Sequence, residues 1–356
     1  MAYTAIDDPS AHFQVTLYTG NGSANHAITN DGLSDLQPDL VWIKNRDAAD
    51  ANCVFDSNRG ATVIMYSNAS TADATDADTL DSFASDGFQV DADVKVNTNT
   101  EKYVAWQWKA NGGSTSANTT GTNIDSVVQA NTTAGFSIVT FDFNGSTGGT
   151  VGHGLGAVPS VIIVKNRENV ADWQMFWQSL GEENRIQLNT TAAVADNSLW
   201  ADTAPTSTVF SVGNSAEFNT TADDQAALAY CWTPIQGYSK FGEYTGNGAA
   251  DGTFVYTGFK PAWVMLHEYT SGNTNDSFIY DIKRSTFNAM DDILLSNEPD
   301  AETTGRADVD FLSNGFKCRA THADTNRDDG TFLYMAFAHQ PLVTSDDGGS
   351  IPCTAH

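Results

Sequence analysis

Three antiparallel β-sandwiches in tandem, an all-β chain, are the fold this sequence predicts, and three observations predict it. One pattern returns three times. It begins as Tyr18-Thr19-Gly20-Asn21-Gly22 with Pro38-Asp39-Leu40-Val41-Trp42-Ile43-Lys44-Asn45-Arg46. It returns as Phe143-Asn144-Gly145 with Pro159-Ser160-Val161-Ile162-Ile163-Val164-Lys165-Asn166-Arg167, and as Tyr244-Thr245-Gly246-Asn247-Gly248 with Pro261-Ala262-Trp263-Val264-Met265-Leu266. Second, the apolar segments are short, rich in β-branched and aromatic residues, and punctuated by Gly, Asn and Asp. Third, Val104-Ala105-Trp106, Leu228-Ala229-Tyr230 and Met335-Ala336-Phe337 share an aliphatic, Ala, aromatic order and follow the three prolines at near-equal distances.

The elements of the first unit follow from these signals in order. Phe13 to Tyr18 alternates apolar and polar residues, the period of a half-buried strand, and Thr19 to Gly22 is its turn. Leu40 to Ile43 is a continuous apolar run, which suits a strand covered on both faces. Asp56 to Gly60 turns the chain into Thr62 to Tyr66, Ser85-Asp86-Gly87 turns it into Phe88 to Val90, and Tyr103 to Trp108 closes the unit. Ala69 to Ser82, rich in Ala, Thr and Asp, reads as a surface loop. A repeat of roughly a hundred residues exceeds solenoid and propeller periods, so each copy is a whole domain.

The expected boundaries are 1–112 for the first sandwich, 113–134 for a Gly/Ser/Thr/Asn-rich linker, 135–236 and 237–342 for the second and third sandwiches, and 343–356 for a tail. The short connection from Trp232 to Phe241 couples the last two units closely. Such domains either pack as one block or hang in a row.

In 356 residues, 17 Lys and Arg face 44 Asp and Glu, a formal net charge of −27. Nucleic acid and anionic membranes are therefore not expected partners, because both require clustered cations. The charge itself reads as solubility, screened where salt is plentiful. Cys53, Cys231, Cys318 and Cys353 are far apart, without zinc spacing, and are expected to be mostly unpaired. The first residues carry no basic and apolar leader, which points to an intracellular protein or one released by a route such as lysis.

No catalytic constellation stands out, so no enzyme activity and no cofactor is expected. His153 lies in a Gly-rich turn without a nucleophile or orienting group to serve. Asp324, Asn326 and Asp328 alternate oxygen ligands as a calcium loop does, but the following Gly330 is one place late and no distal glutamate appears, so a hairpin turn between Cys318 and Phe332 is preferred. Asp56-x-x-Arg59 and Asp281-x-x-Arg284, being duplicated, read as ion pairs that pin a turn. Of the eight tryptophans, Trp42, Trp106 and Trp263 fall in core-strand patterns. Trp108, Trp173, Trp177 and Trp200 are the candidates for contact with a glycan or a protein partner, since aromatic faces stack on sugar rings.

The motif triplet of Tyr-Thr-Gly-Asn-Gly, Pro-x-Leu-Val-Trp-Ile-Lys-Asn-Arg and Tyr103-Val104-Ala105-Trp106-Gln107-Trp108-Lys109-Ala110-Asn111, with matches in all three repeats, resembles virion structural proteins from tailed phages of marine bacteria, cyanophages and pelagiphages among them. The opening Tyr3-Thr4-Ala5-Ile6-Asp7-Asp8-Pro9-Ser10 with Phe13-Gln14, and His153-Gly154-Leu155-Gly156 before Ile163 to Arg167, carry the same resemblance. It implies a lectin-like, concanavalin-type sandwich, or a jelly roll, in a tail fibre, an appendage or a capsid-decorating component. It also implies other virion proteins as partners, a homo-oligomer with a trimer favoured, and a place on the particle surface after synthesis in host cytoplasm. A host-glycan adhesin is the alternative. The third unit departs from the pattern, with His267-Glu268-Tyr269 in place of Lys-Asn-Arg.

Overall fold

The computed structural model describes residues 3–145, 149–213, 225–270 and 275–343. It is all-β, and the pairings within its sheets are antiparallel. Each repeat is a sandwich of a large sheet and a small one. In repeat 1 the large sheet runs Phe13–Thr19, Lys102–Trp108, Leu40–Asn45, Cys53–Asp56, Val63–Tyr66, Ala74–Thr75, with a small sheet of His26–Thr29, Gly87–Val90 and Leu80–Ala84. In repeat 2 the same order, Phe136–Phe143, Gln225–Trp232, Val161–Asn166, Gln174–Trp177, sits inside an eight-stranded sheet. In repeat 3 it is Ser239–Thr245, Thr331–Pro341, Phe259–Glu268, Ser277–Asp281, Leu294–Leu295.

The continuous apolar runs are explained by what covers their two faces. Successive side chains of a strand point to opposite sides. From Leu40 to Ile43, Leu40 and Trp42 join a central cluster, while Val41 and Ile43 join the private core of repeat 1. Val161 and Ile163 likewise face the centre and Ile162 and Val164 face the core of repeat 2. Trp263 and Met265 face the centre and Val264 and Leu266 the core of repeat 3. The closing strands obey the same division: Val104 and Trp106, Leu228 and Tyr230, Leu333 and Met335 point inward to the centre, and Ala105, Ala229 and Ala336 point into their own sandwiches.

The three large sheets therefore enclose one shared core. Trp108 lies at its middle, with ring centroids 6.4 Å from Trp232 and 5.7 Å from Trp263, so a ring from each repeat meets there. Edge-on contacts of this kind add to the area that each indole buries. Only a void of about 20 Å³ remains among these side chains. Of the two arrangements open to tandem domains, the chain adopts the block.

Two expected loops contain strands. Within 113–134, expected as a linker, Ser116–Asn118 and Ser126–Asn131 extend the large sheet of repeat 2. Ile124 and Val128 from this polar stretch are buried in the core of repeat 2, a two-residue periodicity hidden by the Ser, Thr and Asn around it. Ala69 to Ser82, expected as a surface loop, carries Ala74–Thr75 and the start of Leu80–Ala84. The exit from repeat 1 is fixed by Asp39, whose carboxylate accepts the backbone N–H groups of Ala110, Gly112 and Gly113 at 2.7, 2.9 and 2.6 Å. Apart from Val343, the expected tail 343–356 lies outside the described residues, as does Cys353.

Candidate functional site

The recurring residues turn out to build two devices, an anchored turn and a seam between repeats. In the turn, Tyr18 stacks on Tyr103 with centroids 5.0 Å apart and its hydroxyl donates to the Val96 carbonyl at 2.7 Å. Tyr244 does the same with Phe332 at 5.0 Å and the Thr325 carbonyl at 2.6 Å. A buried asparagine holds the turn. Asn97 accepts the Asn21 N–H at 2.8 Å and donates to Asn21 Oδ1, Ser23 O and Asp91 O. Asn326 accepts the Asn247 N–H at 3.0 Å and donates to Asn247 Oδ1, Ala249 O and Ala320 O. A Cβ at Gly20 would sit 2.1 Å from the Thr98 carbonyl, which is why the third place of the motif is glycine.

The seams are built from the third residue of the Lys-Asn-Arg tripeptide, or of His267-Glu268-Tyr269 in repeat 3, and the loop after Val63–Tyr66, Asn184–Gln187 or Leu294–Leu295 of the preceding repeat in the ring. The Asp73 N–H donates to the Arg167 carbonyl at 2.8 Å, the Val194 N–H to the Tyr269 carbonyl at 3.1 Å, and the Glu302 N–H to the Arg46 carbonyl at 2.9 Å. Repeat 1 thus bonds to repeat 2, repeat 2 to repeat 3, and repeat 3 back to repeat 1 through one repeated contact. The ring is closed.

Side chains reinforce the first and last of these seams. Arg167 pairs with Asp73 at 2.7 Å, and Arg46 pairs with Glu302 at 2.6 Å. Trp173 Nε1 donates across the first seam to the Tyr66 carbonyl at 2.9 Å, and Asn52 Nδ2, its register equivalent, donates across the last to the Leu295 carbonyl at 2.8 Å. The two Asp-x-x-Arg pairs lie inside these seams, with both side chains fully buried and separations of 2.5 and 2.6 Å. Asp56 additionally accepts the Tyr230 hydroxyl of repeat 2 at 2.7 Å, and Asp281 accepts Trp106 Nε1 of repeat 1 at 3.0 Å. They pin a turn, as expected, and also receive a donor from the next repeat. Burial, reinforced by the Asp56 carboxylate, holds the Tyr230 hydroxyl well above its ordinary pKa.

The lysine of the tripeptide is buried in both repeats that carry it. Lys44 Nζ donates to the carbonyls of Asp50 and Pro299, each at 2.8 Å, so it too ties repeat 1 to repeat 3. Lys165 Nζ donates to the Asn166 carbonyl at 2.7 Å. Burial pulls both ammonium groups down to about 8. The buried His267 replaces them in repeat 3, bonds to Ser277 Oγ at 2.5 Å and is lowered to about 4 by burial.

The residues proposed for ligand contact lie elsewhere than the sequence suggested. Trp108, Trp173, Trp177 and Trp200 are all 2% exposed or less, so none offers a ring face to a glycan or a partner. The first three belong to the shared core and Trp200 to the core of repeat 2. The calcium candidates do not converge either. Residues 323–326 form one helical turn where a hairpin was expected, and side chains two apart on a helix diverge by about 200°. Asp324 accordingly pairs with Arg306 at 2.9 Å, Asn326 holds the glycine turn, and Asp328 is exposed. Among the described residues no group of three His, Cys, Asp or Glu is placed to hold a metal ion. His153 is buried, with Nε2 3.1 Å from the Thr206 carbonyl. Cys53, Cys231 and Cys318 are buried free thiols, whose pKa values burial raises.

Asn97 and Asn326 were not singled out from the sequence. Their signal was there, since both stand six residues before the aromatic residue stacked on the motif tyrosine, Tyr103 and Phe332.

A family model described as a domain of unknown function, DUF7483, matches residues 8–341. No curated protein and no solved structure matches the chain.

Proposed function

The chain belongs to the DUF7483 family, and from that footing we propose that it is a non-catalytic structural component of a virus particle, a tail fibre, appendage or capsid-decorating protein of a tailed phage. The observation that carries the structural reading is the closed ring. The most recurrent polar residues, from the glycine turns to the Asp-x-x-Arg pairs, are spent on holding three sandwiches in one rigid body. The resemblance of the repeated motifs to phage virion proteins supports the location. In this reading the body acts through shape and loop contacts with other virion proteins, and it assembles as a homo-oligomer, a trimer in a fibre.

Quantitative mass spectrometry of purified particles, against the major capsid protein, tests this. A copy number near that of the capsid protein supports head decoration, and a number lower by orders of magnitude supports a tail or vertex position. Absence from particles overturns the reading. Light scattering of the purified chain reads the oligomer. Recognition of a host-surface glycan is the second reading. The four buried tryptophans do not carry it, but a cavity on repeat 3 favours it.

A further inference from the structure

A cavity of about 360 Å³ opens on repeat 3 where the strand Phe259–Glu268 begins and the loop after Asp281 passes over it. Lys260, Lys283, Phe287, Met290, Phe311 and His339 line it. Met290 and Phe311 are buried side chains of the sandwich core and form an apolar floor. Phe287, 76% exposed, is among the largest apolar surfaces the chain shows to solvent. The Lys283 ammonium is held by Asp31 of repeat 1 at 2.7 Å. Lys260 differs: it is only 8% exposed, and among the described residues its ammonium has neither a hydrogen bond nor an ion pair. Its aliphatic stem is buried while its ammonium, which is not among the solvent-excluded polar atoms, keeps contact with solvent at the cavity. No Asp or Glu lines the cavity, in a chain that has 44 of them.

We propose that this cavity binds an anionic saccharide, with the acid group on Lys260 and a sugar face against Phe287. The cavity lies within the range of small-ligand pockets, about 300–1,000 Å³, rather than being an extended groove for a peptide. A polyanion such as nucleic acid is opposed by the net charge of −27 and by the lack of a cationic track. An acid sugar suits what is present: one cation, Lys260, with no partner among the described residues, and a flat apolar ring, Phe287, beside it. This deepens the second reading by naming the ligand class, and it does not depend on where the protein sits in a particle.

The test is calorimetric titration of the full chain with a trisaccharide carrying glucuronic acid, one carrying sulfate, and their neutral parent. The expected result is saturable binding of one or both acids, weakened by about tenfold or more for the neutral sugar and for Lys260→Met. The first two arms separate carboxylate from sulfate. Phe287→Ala, at an exposed position that leaves folding intact, weakens binding about threefold or more, and added salt weakens it further. Equal binding of the neutral sugar, equal or tighter binding of an acidic peptide, or unchanged binding by both variants overturns the proposal. A glycan array separates the two failures: neutral glycans bound independently of Lys260 keep host recognition and remove this site, and no glycan bound removes both.

Discussion

Among the described residues, two of the three seams in the ring carry side-chain polar pairs across them and the third is joined by a backbone bond and apolar packing. Strand register makes Asp56, Trp177 and Asp281 equivalent, since they pair with Leu40, Val161 and Trp263, and it makes Trp106, Tyr230 and Met335 equivalent on the closing strands. Where repeat 1 meets repeat 2, and repeat 3 meets repeat 1, a buried carboxylate faces a ring donor, an arginine pairs with an acid and a side chain caps a carbonyl. Where repeat 2 meets repeat 3, the corresponding residues are Trp177 and Met335, both in the shared core, and Ser277, at the position of Asn52 and Trp173, bonds to His267 of its own repeat. A backbone bond at the same position, from Val194 to Tyr269 in this seam, is what all three share. Geometry common to the seams is thus carried by the backbone and the apolar core, and the charged groups are additions to it.

Removing a buried acid breaks the comparison most strongly. Asp56→Ala or Asp281→Ala strands a buried guanidinium and is expected to cost about 3–5 kcal/mol in denaturant unfolding. Trp177→Phe, at the equivalent place in the third seam, strands no charge and falls well short of that. Acid affects repeat 3 alone among the tripeptides. His267 has its pKa lowered from 6.5 to about 4, so the unfolded chain binds more protons between those values. The His267 contribution is complete above pH 6.5 and is lost as pH drops toward 4, by about 3 kcal/mol in all. Unfolding free energies across that window check this, and His267→Asn removes its share of the slope. Lys44 and Lys165 act in an alkaline window: with pKa values near 8 instead of 10.5, their burial cost is full below pH 8 and relieved as pH rises to 10.5.

Smaller substitutions sharpen the same contrast. Tyr230→Phe removes a hydrogen bond to a charged group and is expected to cost about 1.5–3 kcal/mol. Arg46→Ala and Arg167→Ala remove partly exposed ion pairs and cost about 1 kcal/mol each, less at high salt. Tyr269→Ala leaves its seam's backbone bond in place, and its hydroxyl bonds within its own repeat, donating to Glu243. A loss at Tyr269 equal to that at Arg46 would erase the distinction between the seams.

Much of the fold was legible in the sequence, because local periodicity, turn residues and the threefold repeat all pointed to antiparallel sandwiches. What covers the second face of a doubly buried strand was not. The run Leu40 to Ile43 announces that both faces are covered, but only the assembled ring reveals that Leu40 and Trp42 meet side chains more than a hundred residues away. For the same reason Trp108, Trp173 and Trp177, near strand ends, looked available to a ligand and are instead where the repeats converge. Polar composition hid the strands at 116–118 and 126–131, since Ile124 and Val128 are too few to dominate it. The candidate cavity was illegible for a different reason: Lys260 is distinguished only by the partner it lacks, and a sequence records residues without recording which of them meet.

The two ends of the described chain share one attachment. The Tyr3 hydroxyl donates to the Gly258 carbonyl at 2.7 Å, and the Leu342 N–H approaches the same oxygen at 3.4 Å. Tyr3 and Leu342, meeting at one carbonyl, are close enough to be joined. A circular permutant that joins these ends by a short linker and opens the chain near Gly113 keeps every seam, so connectivity and architecture are separable in this molecule.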